Sequence, residues 1–238
     1  MKKDLLKIIP INLITCTRLI GAFTLPFIFS TKGAPLGAII TIILFATDCI
    51  DGFLARNLNA STFFGAGMDA LCDKLLNICS FTLLGINYNT MLLPLLLEIA
   101  IIYTNYSNYR YGGNVKSSKT GKIKTIILDV LVILSFCLIA LQYFNSNNNI
   151  IMYFINHTEQ FINLFSCVIT IACMYTLIDY TKKNKEIRKN PKSIEKKYKK
   201  KKLKPFKHIL NDLLNIEYYK KHKEESIIKQ FYMWILHK

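Results

Sequence analysis

Long apolar stretches dominate this chain and restrict what it can fold into. Six of them cover roughly residues 8–30, 34–56, 66–86, 91–110, 122–144 and 150–179. A helix of about 20 predominantly apolar residues crosses the hydrocarbon core of a bilayer. The segments between the stretches carry turn formers: Lys32-Gly33-Ala34-Pro35, Asn57 to Ser61, Asn87 to Thr90, Gly112-Gly113 and Asn145 to Asn149. A water-soluble bundle is the competing reading. Soluble helices keep a polar face, and residues 125–142 show almost none. The expected fold is an all-α integral membrane protein with six transmembrane helices.

Charge divides the chain in two. It is 52% hydrophobic yet carries a formal charge of +16. Residues 181–238 have a net charge of +13, and residues 1–180 only +3. The expected organisation is a six-span domain over 1–180 and a basic cytoplasmic tail over 181–238. With the N-terminus in the cytoplasm, six spans put Lys2, Lys3, Lys7, Arg56, Lys74, Arg110, Lys116, Lys119, Lys122, Lys124 and the tail on the cytoplasmic side. Lys32 falls outside. This is the asymmetry that the positive-inside rule describes, so both termini are expected to be cytoplasmic. The first apolar stretch exceeds a signal-peptide core and holds Asn12 and Arg18, so no cleavable signal peptide is expected. The seven cysteines form no CxxC or metal-ligand spacing and read as small apolar side chains.

Carboxylates inside spans are costly, about 3 kcal/mol each on insertion scales. Asp48 and Asp51 sit near the end of the second stretch, and Asp69 and Asp73 near the start of the third. They flank one short loop and share a depth near the cytoplasmic face. Asp48 and Asp51 lie three apart. Gly65, Asp69 and Asp73 lie four apart in series, on one helix face. Two such helices facing each other would bring four carboxylates into one small volume. Hard divalent cations, Mg²⁺ or Mn²⁺, neutralise such a set through oxygen ligands. The small residues Gly52, Ala55, Gly65, Gly67 and Ala70 permit close helix approach or a bulky substrate. Arg56 offers a fork suited to phosphate, and together these features suggest phosphoryl-group chemistry. Glu98 and Asp129 read as lone intramembrane acids. A carboxylate-lined transporter is the alternative from another class, but transporters place such groups near the midplane between broken helices. A catalytically dead scaffold is a third reading, disfavoured by the complete carboxylate set.

The run Asp48-Cys-Ile-Asp51-Gly52-Phe-Leu-Ala55-Arg56, followed after eight residues by Gly65 and then by Asp69 and Asp73, matches D-x2-D-G-x2-A-R-x8-G-x3-D-x3-D throughout. It resembles the signature of the CDP-alcohol phosphatidyltransferases. Ile9-Pro10-Ile11-Asn12-Leu13-Ile14-Thr15 with Arg18 is similar to the first-span entry of bacterial members. Gly121-Lys122-Ile123-Lys124-Thr125 is similar to the start of their fifth span. The resemblance covers about residues 8–180 and implies a bacterial-type cell membrane location. It further implies transfer of a phosphatidyl group from CDP-diacylglycerol to an alcohol, with release of CMP. By position it makes Asp48, Asp51, Asp69 and Asp73 ligands of two divalent ions, and Asp73 also the general base. It places Asn12, Thr15, Gly52, Arg56 and Thr62 against the CDP-lipid head, and it implies a homodimer.

The acceptor is expected to be glycerol 3-phosphate, since these features look most like phosphatidylglycerophosphate synthases. Inositol phosphate, serine or an amino alcohol are the alternatives. Arg110, Lys116, Lys119 and Lys122, with Lys124 nearby, are candidates for the acceptor phosphate. Two departures bear on this choice. The fourth stretch reads Glu98 to Arg110 with one arginine, where the resembled enzymes carry an Arg-Glu pair and a second arginine. Asp69-Ala-Leu-Cys-Asp73-Lys74 stands where D-P-L-A-D-K is common. In the tail, residues 196–204 hold seven lysines in nine positions. Such a run favours anionic lipid, and Ile209 to Lys238 is expected to form interfacial helices. Nothing beyond charge supports nucleic-acid binding, and none is expected.

Overall fold

The computed structural model describes residues 2–58, 60–110, 119–143, 148–189, 214–217 and 219, with backbone only at 2–8, 49, 51, 52, 55, 56, 108–110, 119 and 186–189. Most of these residues are helical, with no strand among them. Seven helices follow one another: α1 Lys2–Lys32, α2 Ala34–Asn57, α3 Phe63–Asn87, α4 Leu92–Arg110, α5 Lys119–Leu141, α6 Asn149–Asn156 and α7 Thr158–Lys189. A single 3-10 turn, Asn89–Met91, leads into α4.

The turn residues act where the sequence places them. Gly33, at φ 85, takes the left-handed conformation that reverses the chain between α1 and α2. Pro35 then stands in the first turn of α2, where its missing N–H costs no hydrogen bond. Thr62 caps α3 by accepting from the Gly65 N–H at 3.1 Å. Pro10 and Pro26 lie inside α1 without ending it, as neighbouring helices allow in membrane proteins.

The sixth apolar stretch is not one helix. It breaks at His157 into α6 and α7. Local side chains compete there for the carbonyls that would continue the helix. His157 Nδ1 lies 2.9 Å from the Tyr153 carbonyl oxygen, its ring stacks on Tyr153, and the Thr158 hydroxyl bonds the carbonyls of Phe154 and Ile155.

Packing is not in chain order. α1 lies against both α2 and α3, α4 lies against α7, and α5 joins α2 to α7. The consecutive helices α2 and α3 barely touch each other. Leu25, Phe81, Leu84, Leu128, Phe136, Ile162 and Ile169 fill the core, and Phe29 of α1 meets Phe136 of α5 with ring centroids 5.4 Å apart. Outside the core the surface is apolar: Ile9, Leu13, Ile20, Phe23 and Phe27 of α1 and Leu164, Ile171, Met174 and Tyr175 of α7 are all exposed. Water would not tolerate so continuous a surface, whereas lipid does. Among the described residues, four stretches are long and apolar enough to cross a membrane: Ile9–Lys32, Asn89–Ser107, Thr120–Leu141 and Thr158–Lys185. A shorter apolar helical stretch, Ala34–Asp48, lies in α2.

Glu98 is not a lone acid. Its carboxylate is 1% exposed and accepts a bond from Lys124 of α5 and one, at 3.2 Å, from Lys74 of α3. The Cys173 thiol of α7 lies 3.6 Å away. One carboxylate thus ties four helices together. Removing one partner of a buried ion pair leaves the other charge uncompensated and costs about 3–5 kcal/mol. Glu98→Gln should therefore lower the thermal unfolding midpoint in detergent sharply, and Glu98→Gln with Lys124→Met should recover most of it. A single variant that unfolds with the wild-type midpoint would contradict the tie.

Candidate functional site

The aspartates meet through α1 rather than through each other's helices. Asp48 on α2 and Asp69 and Asp73 on α3 each present a carboxylate oxygen, and the three oxygens lie within 4.8 Å of one another. The guanidinium of Arg18, on α1, stands among them. Its Nη1 pairs with Asp48 and, at 2.8 Å, with Asp73, while Nη2 donates to Asp69 at 2.5 Å. The arginine is 1% exposed, whereas the three aspartates are only partly buried. The expectation that α2 and α3 face each other directly is corrected here. α1 lies against both, so the carboxylates converge on a face that α1 supplies.

The electrostatics follow from this geometry. Three carboxylates at such separation repel strongly in a medium of low dielectric. A cation must stand among them, and in the polypeptide that cation is Arg18. The donor set itself consists of hard oxygens at short separation, which fits Mg²⁺ or Mn²⁺. Asp51 belongs to α2 in the helical register of Asp48, but its side chain lies outside the described residues, as does that of Arg56.

The remaining expected residues divide into three groups. Asn12 of α1 and Thr62, the cap of α3, come together at Gly65. A Cβ added at Gly65 would stand 3.1 Å from Asn12 Oδ1 and 3.2 Å from Thr62 Oγ1, so glycine there lets α1 and the start of α3 close up. Thr15 is buried, donates to the Ile11 carbonyl at 3.2 Å, and its own carbonyl accepts from the Cys72 thiol at 3.4 Å. Lys122 is exposed on α5, whereas Lys124, two residues on, is buried against Glu98. Lys116 and the side chains of Arg110 and Lys119 lie outside the described residues, so the acceptor set is only represented by Lys122.

Arg18 is the site residue that sequence reasoning passed over. It was read as part of a segment, not as a member of the cluster. A signal was present: an arginine in the middle of an apolar span demands a carboxylate partner at its own depth, and no acid on α1 lies near it. Arg18→Met should lower the unfolding midpoint in the presence of a chelator, and added Mn²⁺ should raise the variant's midpoint more than the wild type's. Equal midpoints in chelator would contradict a role for Arg18 in holding the carboxylates together.

Comparisons with known proteins agree with this geometry. Residues 8–177 match the family model for CDP-alcohol phosphatidyltransferase. A protein of Yersinia pestis (strain Pestoides F), named CDP-diacylglycerol–glycerol-3-phosphate 3-phosphatidyltransferase, is 35% identical over 113 residues, 44% of this chain and 60% of that protein. Proteins of the same name from Wigglesworthia glossinidia brevipalpis and Salmonella choleraesuis (strain SC-B67) are 36% identical over 80 residues and 40% identical over 72. Those two matches cover 31% and 30% of this chain, and 44% and 38% of the relatives. The chain therefore spans about 38 to 60% of the length of these curated relatives. No solved structure matches it. The matched region contains most of α1, all of α2 to α6, the three converging carboxylates and most of α7, and the chain belongs to the CDP-alcohol phosphatidyltransferase family.

Proposed function

We propose that this protein transfers a phosphatidyl group from CDP-diacylglycerol to glycerol 3-phosphate, releasing CMP, at the cluster of Asp48, Asp51, Asp69 and Asp73. The observation that carries this reading is the convergence of three signature carboxylates within 4.8 Å in a chain of this family. The names of the relatives from Yersinia, Wigglesworthia and Salmonella support the acceptor. Members of the family are generally dependent on a divalent metal.

Each part of the site then has a task. The four aspartates would hold two divalent ions, Mg²⁺ or Mn²⁺, whose charge would offset that of the diphosphate. Asn12, Thr15, Gly52, Arg56 and Thr62 would seat the CDP-lipid head, Gly52 by allowing close approach and Arg56 by its fork on a phosphate. The Asp73 carboxylate would take the proton of the acceptor hydroxyl. The acceptor oxygen forms its bond to the lipid-side phosphorus as the bond from that phosphorus to CMP breaks, and CMP leaves with the electron pair. Proton transfer of this kind contributes about 10²–10⁴-fold to rate. Arg110, Lys116, Lys119 and Lys122 would attract the acceptor's own phosphate.

The placement in a bacterial-type cell membrane is part of the same proposal. α2 and α3 join the four apolar stretches to make six spans, with the aspartates near the cytoplasmic face and both termini in the cytoplasm. At about 1.5 Å rise per residue, helices of 24 and 25 residues are long enough to cross. Residues 1–180 form the catalytic domain, residues 181–238 a basic tail that seeks anionic lipid, and the protein acts as a homodimer.

Purified protein in detergent should release CMP from CDP-diacylglycerol only with Mg²⁺ or Mn²⁺ and an acceptor present, and glycerol 3-phosphate should be the best of a panel of alcohols. Release supported by no acceptor, from well-folded protein, would refute the reaction, and a preference for inositol phosphate or serine would refute the acceptor. Asp73→Asn should still bind CDP-diacylglycerol while turnover falls about 10²–10⁴-fold. Wild-type turnover in that variant would remove Asp73 from the base role.

A further inference from the structure

The tail returns to the bundle where α1 meets the start of α3. Its described residues, 214–217 and 219, contain a short helical turn in which the Tyr219 N–H bonds the Asn215 carbonyl at 3.1 Å. The Asn215 side chain accepts from the Glu217 N–H at 2.9 Å and caps that turn. Residues three apart on a helical turn share a face, so Ile216 and Tyr219 point the same way. Both meet the bundle. Ile216 packs on a small apolar cluster of Ile11 from α1, Leu54 from α2 and Ala60 from the connection between α2 and α3. Tyr219 meets the buried Phe63, the first residue of α3, edge-on with ring centroids 4.9 Å apart.

The position of these contacts gives them significance. Ile11 precedes Asn12 and accepts the Thr15 hydroxyl. Ala60 and Phe63 bracket Ser61 and Thr62, and Thr62 caps α3. The tail therefore touches both segments that meet at Gly65, on the residues next to Asn12 and Thr62. Arg18 lies further along α1, and Asp69 and Asp73 further along α3.

We propose that Ile216 and Tyr219 form a brace that positions the Asn12–Thr15 stretch and the Ser61–Thr62 connection for the CDP-lipid head. This rests on the phosphatidyl-transfer reading above. With the brace in place the two segments are held at the spacing the headgroup needs. Without it they sample other spacings, and apparent affinity falls by the fraction of molecules that are competent to bind. Chemistry at the carboxylates, once substrate is bound, stays as it was. Ile216 and Tyr219 are positioning residues: they act through Ile11, Ala60 and Phe63.

The test uses the full-length chain in detergent, with CDP-diacylglycerol binding measured directly and turnover measured at saturating substrate. Tyr219→Ala and Ile216→Asp should each weaken CDP-diacylglycerol binding about two- to tenfold, the span expected for losing one aromatic pair. Turnover at saturation should stay within about twofold of wild type, on the same reasoning that only the competent fraction changes. Tyr219→Phe keeps the ring and should bind as wild type does. If wild type binds CDP-diacylglycerol and both disruptive variants bind it equally well, the brace is overturned while the reaction stands. Equal losses of affinity and turnover, shared by Tyr219→Phe, would also overturn it, by assigning the contact to general stability. Wild-type protein that binds no CDP-diacylglycerol would overturn the functional reading itself, and the brace with it.

Discussion

A guanidinium from α1 balances carboxylates from two other helices, and the arrangement of the first three helices depends on that balance. Arg18 pairs with Asp48, Asp69 and Asp73. α2 and α3 scarcely touch, so their acids meet only because each helix packs on α1. Without a cation at their centre, three carboxylates at this separation would push the helices apart. The same requirement makes the cluster a place for divalent ions: what the arginine satisfies by hydrogen bonds, Mg²⁺ or Mn²⁺ would satisfy by coordination.

Much of this was legible in the sequence, for physical reasons. Helices in an apolar chain are bounded where turn formers interrupt them, and Gly33, Pro35, Thr62 and Asn148 mark real boundaries. The acids stood out because an aspartate in an apolar stretch is expensive, and three of the four are seen to converge. Other features depend on contacts that no spacing records. Glu98 looked isolated because its partners, Lys74 and Lys124, come from helices before and after it. The break at His157 hides within a stretch apolar enough for one span, since hydropathy does not register His157 and Thr158 competing for carbonyls. The order of packing was misread for a similar reason: α2 and α3 are neighbours in sequence, but their shared partner is α1.

Two ionic clusters therefore divide the work of the bundle. The one around Arg18 is built from acids in excess of the cation they share. The one around Glu98 is built from a single acid and two lysines, and it binds α3, α4 and α5 to each other with Cys173 of α7 beside it. Lys74 links them, because it follows Asp73 directly on α3. A residue of the first cluster is thus held in register by the second. The tail packs where α1 meets the start of α3, from a part of the chain that lies outside the family match at 8–177.

The central claim is that the carboxylates form a divalent cation site. Electron paramagnetic resonance of Mn²⁺ titrated into purified protein tests it most directly, because bound Mn²⁺ loses the sharp signal of the free ion. Wild-type protein should take up Mn²⁺, Mg²⁺ should displace it, and Asp48→Asn or Asp69→Asn should abolish the uptake in protein that remains folded. Wild-type protein that leaves all the Mn²⁺ free, or aspartate variants that bind it as wild type does, would contradict the claim.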